Sequence, residues 1–165
     1  MMKRILRHLL TPAWRTRHVF PAHDLRAIEQ AIRASEATHG GEIRFAIEAA
    51  LDLWPLLQGQ TARARAIEEF TQLRVWDTDA NNGVLIYLLL ADRDVEIVAD
   101  RGVHARVRPE AWEAVCREME AAFRAGKFAD GAIAGIAAIG RLLAQHYPRG
   151  PGDRNELSDR PVILK

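Results

Sequence analysis

Two aspartates and two asparagines stand within Asp77-Thr78-Asp79-Ala80-Asn81-Asn82, directly before Gly83 and the apolar run Val84–Leu90. Carboxylates and amides at alternating positions are the oxygen donors of hard divalent cations. As a self-contained calcium loop the stretch fails. An EF-hand places glycine at position 6 and a bidentate glutamate at position 12, where this chain has Asn82 and Leu88. A phosphatase of the haloacid-dehalogenase kind also carries two aspartates two apart, but after a strand that exposes the nucleophile; here the pair precedes one. The loop therefore needs partners from elsewhere in the chain.

Other chemistries are thinly represented. The six histidines include no i,i+4 pair around a glutamate and no cysteine partners, which argues against zinc. Ser35 and Ser158 lie outside any nucleophile elbow, and the single Cys116 falls on the apolar stripe of a helix. Gly131, Gly135 and Gly140 lie inside a helical pattern with no strand before them, which suits close helix packing more than a phosphate loop.

The elements that must bring partners to the loop can be read from periodicity. Leu25, Ile28, Ala31 and Ile32 recur at helical spacing, with Asp24 as the expected cap and His39-Gly40-Gly41 as the stop. Ile43, Phe45, Ile47 and Ala49 alternate with Arg44, Ala46 and Glu48, predicting a strand with one buried face. Leu53 to Gly59 reads as a loop, and Thr61 caps a second helix carrying Ala66, Ile67, Phe70 and Leu73. "VLIYLLL" is apolar throughout, as in a central strand covered on both faces, and a polar turn at Ala91–Asp94 returns it as the hairpin strand "VEIVAD". Pro109 opens a third long helix that Gly126 ends, and Asp130 is the expected cap of a fourth that stops at Pro148.

This order gives an α/β fold, a mixed central sheet of three or more strands flanked by helices on both faces. The first strand and the central strand, joined through a helix, should lie parallel. That puts Glu42, the loop Asp77–Asn82 and Asp100 at one rim of the sheet. The expected divisions are a basic amphipathic arm at 1–21, the domain at 22–148 and a flexible tail at 149–165, whose closing "PVILK" is left open as docked or free.

At 165 residues, 48% apolar and 27% charged, the chain suits one packed domain. Its net charge of +1 hides an asymmetry: Lys3, Arg4, Arg7, Arg15 and Arg17 stand in residues 1–20 with no acid, leaving the remainder acidic. Arg7 and His8 interrupt the apolar run that a secretory signal would need, and no stretch reaches the roughly 20 apolar residues of a membrane span. The arm is expected either to pack on its own domain or to rest as an amphipathic helix on an anionic membrane. Nucleic acid is not an expected partner.

"NNGVLIYLLLADRDVEIVADRGV" followed by "FRAGKFADGAIAGI" resembles the TPM domain family over about residues 22–147. The resemblance rests on Asn82-Gly83 before the central strand, the polar hairpin, a glycine after the third strand, and Phe128-Ala129-Asp130-Gly131. It implies an α/β sandwich, association with divalent metal and with calcium in particular, and, in a plant member, weak acid phosphatase activity. Many members carry Gly-x-Gly-Leu-Glu after the third strand, where this chain has Asp100-Arg101-Gly102-Val103-His104. The expected metal set is Asp77, Asp79, Asn82 and Asp100, with Arg101 as an anion or phosphate contact. Two functions follow: a calcium-binding interaction module, and a metal-dependent phosphomonoester hydrolase. The expected location is the cytoplasm, or the inner membrane surface, with a membrane-bound relative or the lipid itself as partner.

Overall fold

The computed structural model describes residues 1–164. Its sheet has the order β3-β2-β1-β4, with β1 (Glu42–Glu48) parallel to β2 (Gly83–Leu89), β2 antiparallel to β3 (Asp94–Ala99), and β4 (Val162–Ile163) parallel to β1. The parallel pairing of the first and central strands is as expected, with Glu42 opposite Gly83. The segment read as a tail runs back along the domain and ends in β4, so Val162 and Ile163 of "PVILK" dock on Ala46 and Ile47; Lys165 lies outside the described residues.

Helices cover both faces. Ile43, Phe45 and Ile47 of β1 with Val84, Ile86 and Leu88 of β2 point into a core closed by α3 (Ala22–Glu36), α7 (Pro109–Arg124) and α8 (Phe128–His146). Ala46, Leu85, Tyr87 and Leu89 point the other way, into a smaller core under α5 (Ala62–Gln72), which Ile5 of α1 (Met2–Leu9) joins. Every residue of β2 is buried, as a strand covered on both sides requires.

The glycines of α8 are contact points. A Cβ at Gly131, Gly135 or Gly140 would lie 2.7 Å from Ala122, 2.3 Å from the sulfur of Met119 and 2.1 Å from Ser35 Oγ, respectively, so α8 approaches α7 and α3 as only glycine allows. By length and composition α8 could cross a membrane, yet its apolar stripe lies inside this core.

Some local expectations change. Asp24 and Asp130 sit in the first turns of α3 and α8, where their charge favours the helix dipole, but Pro21 and Lys127 hold the cap positions. Leu53–Leu57 forms a short helix, α4, in place of a loop. β1 is covered on both faces instead of one. Glu48 is buried because Arg65 of α5 binds it through two hydrogen bonds of 3.0 and 2.9 Å, and Arg44 donates to the carbonyls of Ser158 and Arg160 in the docked tail. Thr61 caps α5 as expected, accepting from the Ala64 N–H.

Candidate functional site

The rim begins with the reversal into β2. Asn81 adopts φ 50°, a left-handed conformation that asparagine tolerates better than most residues. Thr78 Oγ1 accepts from the Asn82 N–H at 3.1 Å, closing the turn. Gly83 then passes beneath Val75, whose carbonyl oxygen would lie 2.0 Å from any Cβ there. That explains the Asn82-Gly83 pair: one residue serves the turn and the next has no room for a side chain.

Asn82 is 3% exposed and its amide is oriented by its neighbours. Its Nδ2 donates to the Gly40 carbonyl, so Oδ1 is the free end, and Oδ1 is buried with no hydrogen-bond partner in the protein. Across the hairpin, Asp100 continues the ladder, its N–H donating to Gly83 O at 2.9 Å. It caps α6 (Arg101–His104), with Oδ1 accepting from the Arg101 N–H at 2.7 Å. Its Oδ2 is buried without a partner. The Tyr147 hydroxyl, at the end of α8, is the third such oxygen at this rim.

Gly102 marks the place where oxygens converge. A Cβ at this residue would lie 2.5 Å from Asn81 O, 2.7 Å from Tyr147 Oη and 3.0 Å from Ala80 O. Three oxygens thus pack against Gly102 where a side chain would lie. Burial raises the Tyr147 pKa; Arg106, whose guanidinium lies 4.6 Å from the ring centre, opposes that shift, and the Asp100 carboxylate adds to it. The phenol stays protonated beside the acid.

Of the four residues expected to hold metal, two are buried on adjacent segments, Asp100 donating its N–H to Gly83, the residue after Asn82. Asn82 and Asp100 contribute buried, unpartnered oxygens. Asp77 is exposed and held by Arg74 at 2.7 Å, and Asp79 is exposed, its N–H bound to Glu156 of the docked tail. Arg101 is exposed at the start of α6. His104 lines a groove between β3 and α7 with Cys116, whose thiol burial pushes up to about 12. Tyr147 and the carbonyls of Ala80 and Asn81 were not readable as donors, because backbone oxygens have no sequence signature and Tyr147 reads as one more position on an apolar helix stripe.

The donors fit a hard cation. Among the described residues there is no group of three or more His, Cys, Asp or Glu side chains placed to hold a metal. An ion here would rest on one carboxylate with amide, carbonyl and phenol oxygens, a set suited to calcium and unsuited to zinc. With a single formal charge in that set, calcium affinity would be in the weak range, on the order of 0.1–1 mM.

Glu42, the other acid expected at the rim, is buried and accepts from the Leu157 N–H at 3.0 Å. It belongs to a second polar cluster with Glu36 and Asp159, lining a cleft of about 210 Å³. Glu36 accepts from the Ile43 N–H at 2.8 Å, while Asp159 is bound by Arg33 and Asn155. Burial, with Glu42 and Asp159 nearby, pushes the Glu36 pKa up to about 9 from 4.5. The folded state therefore keeps a proton that the unfolded chain gives up near 4.5, and stability is lost as pH rises from there towards about 9. Glu36→Gln retains the acceptor for Ile43 and removes the ionisation. It should match the parent near pH 4 and exceed it by on the order of 2–4 kcal/mol at pH 9, measured by urea unfolding. Parallel pH profiles for the two proteins would mean that Glu36 ionises as an ordinary carboxylate.

Three comparisons bear on this architecture. The family model described as TPM domain matches residues 15–142. No curated protein matches the chain. Among solved structures, BA42 from the psychrophilic bacterium Bizionia argentinensis sp. nov. superposes with a TM-score of 0.78 at 29% identity, covering 88% of this chain and 95% of that one. The N-terminal domain of a P. gingivalis protein superposes with a TM-score of 0.62 at 17% identity, covering 86% and 95%, and so shares the fold.

Proposed function

Because the chain belongs to the TPM domain family, we propose that its rim holds a divalent cation, calcium by donor type, and that the protein works as a cation-dependent interaction module. The observation that carries this reading is the buried, unpartnered Asp100 Oδ2, two residues before Gly102, against which the Ala80 and Asn81 carbonyls and the Tyr147 hydroxyl pack. A buried carboxylate oxygen with no donor is costly, and a cation is the partner that removes the cost. Asn82 Oδ1, Asp100 Oδ2 and the carbonyls of Ala80 and Asn81 would be the ligands, with Tyr147 closing one side. Bound there, an ion would tie the Asp77–Asn82 loop to the corner between β3 and α6 and neutralise Asp100. Asp77 and Asp79, exposed above it, add negative potential that attracts cations.

A second reading, phosphomonoester hydrolysis, draws support from Arg101, an exposed guanidinium next to Asp100 that could meet a phosphate. Binding is preferred because the rim offers no activated nucleophile and no paired acid and base.

Calcium titration by calorimetry tests the proposal. The parent should bind one ion with a Kd on the order of 0.1–1 mM. Asp100→Asn should weaken binding by about tenfold or more, since it removes the only carboxylate, and Asp77→Asn should change it by less than threefold. Equal effects of the two variants would return the site to the exposed loop.

A further inference from the structure

The end of the sheet opposite the rim carries a different surface. β2 leaves the rim at Gly83 and ends at Leu89, so the β2–β3 turn with Asp92 lies at the far end. There α1 is fastened down by polar contacts. Arg4 Nε donates to Asp92 Oδ2 at 2.8 Å and Arg7 to Asp92 Oδ1 at 2.5 Å, while buried His8 accepts the Leu51 N–H on Nδ1 at 3.0 Å. Arg4, Ile5 and His8 form the inward side of the helix.

The outward side is apolar. Met2, Leu6, Leu9 and Leu10 follow one another at i, i+4, i+7 and i+8, so they share one face, and they are 85, 56, 62 and 66% exposed. α4 packs beside α1 and also turns large apolar groups outward: Trp54 is 69% exposed and Leu57 47%. Two adjacent helices from separate parts of the chain therefore both turn large apolar side chains outward at this end of the sheet. Lys3 and Arg7 flank it, and the chain continues through exposed Arg15 and Arg17. The acids at this end are Asp92, already bound by Arg4 and Arg7, half-buried Asp94 opposite Leu89, Glu68, bound by Gln60 and Arg65, and Asp52 at the start of α4.

We propose that α1 and α4 together form a docking face for an anionic lipid bilayer, with the leucines and Trp54 entering the headgroup–acyl boundary and the cations meeting lipid phosphates. The charge selects this occupant. A second copy seated face to face would bring the same cations against one another, whereas a bilayer with acidic headgroups complements them. Trp54, with an apolar ring and a polar N–H, suits the interfacial layer. Because the rim lies at the opposite end of the sheet, docking leaves it facing away from the lipid. The proposal stands independently of the cation site.

Co-sedimentation of the full chain with vesicles of phosphatidylcholine, alone or with 30% phosphatidylglycerol, tests it. Binding is expected to the anionic vesicles and to fall as salt is raised. Leu57→Glu should reduce it by about tenfold or more, as should Leu6→Glu, with unchanged urea midpoints since both side chains are exposed. Leu57→Glu separates a joint face from an arm acting alone. A second readout uses brominated lipid, which should quench the parent's fluorescence more than that of Trp54→Phe. Failure to bind anionic vesicles would overturn the proposal, as would parent-like binding by Leu57→Glu. So would a concentration-dependent dimer that Leu6→Glu dissolves in the absence of lipid.

Discussion

Replacing Arg65 with methionine is expected to destabilise the fold by about 3–5 kcal/mol at pH 7, the cost of leaving buried charge without its partner. Arg65 holds Glu48 through two hydrogen bonds, reaches Glu69 at 2.7 Å, and touches Glu68 at 3.2 Å. The Glu48 and Glu69 side chains are 4 and 2% exposed, so neither can turn to water. Tyr87, fully buried in the central strand, donates its hydroxyl to the same Glu48 and keeps its proton well beyond the ordinary range, because burial and that carboxylate both oppose ionisation. Methionine supplies the stem's apolar contacts but not the charge. The pH dependence should identify the cause. Burial already holds the Glu69 carboxyl above its ordinary value, with Arg65 opposing that rise. Without Arg65 the pKa climbs further, so the deficit should be largest at neutral pH and shrink as pH falls towards 4 and Glu69 takes up its proton. Urea unfolding at pH 4 and 7 measures both quantities. A loss below about 1 kcal/mol at pH 7 would class this cluster with surface ion pairs.

The second large effect is expected from adding one methyl group at Gly102. The backbone there is ordinary helix start, so Gly102→Ala introduces no conformational strain; what it lacks is space. The new Cβ would meet two carbonyl oxygens, Asn81 O at 2.5 Å and Ala80 O at 3.0 Å, as well as the Tyr147 hydroxyl at 2.7 Å. Carbonyls in a closed turn cannot swing aside as a side chain can. The turn must shift, at about 1–3 kcal/mol by analogy with overpacked cores. The functional consequence should exceed the structural one. The methyl group pushes away the Ala80 and Asn81 carbonyls that would be ligands, so calcium affinity should fall by about tenfold or more while the protein remains folded at 25 °C. Combining Gly102→Ala with Tyr147→Phe removes the hydroxyl clash but neither carbonyl clash, and binding should stay lost. Recovery in the double variant would show that the hydroxyl alone governs the site.

The fold was legible where burial follows a simple period. "VLIYLLL" announced a strand covered on both faces, the hairpin followed from Ala91–Asp94, and the helix between the first two strands fixed them as parallel. β1 was misread as half exposed because its alternation is real but its polar positions are buried through long-range pairing. Glu48 depends on Arg65 of α5, and Arg44 on carbonyls of a segment more than a hundred residues later. Val162 and Ile163 could not be assigned from sequence, since two residues carry no periodicity.

The site was legible to the level of which segments meet. The return of β3 to the start of β2 brings Asp100 beside Asn82, as topology required. Within the loop, charge was a poor guide. Asp77 and Asp79 look the stronger ligands, yet a surface turn lets them face water or Arg74, whereas Asn82 is drawn inside by the Thr78 and Gly40 hydrogen bonds. Asp100, by contrast, caps α6 with one oxygen and leaves the other buried. Glu36, the last residue of α3, is buried and keeps its proton because β1 and the C-terminal segment pack against it, its carboxyl accepting from Ile43 and lying near Asp159.

In the proposed site, two segments remote in sequence share one ion. Backbone amide shifts of the intact protein, followed during calcium titration, test it most directly. Amides from Asp79 to Gly83 and from Asp100 to Gly102 should move along a single binding isotherm, and Asp100→Asn should silence both segments together. Shifts confined to Asp77–Asn82, or two segments titrating with different midpoints, would contradict it.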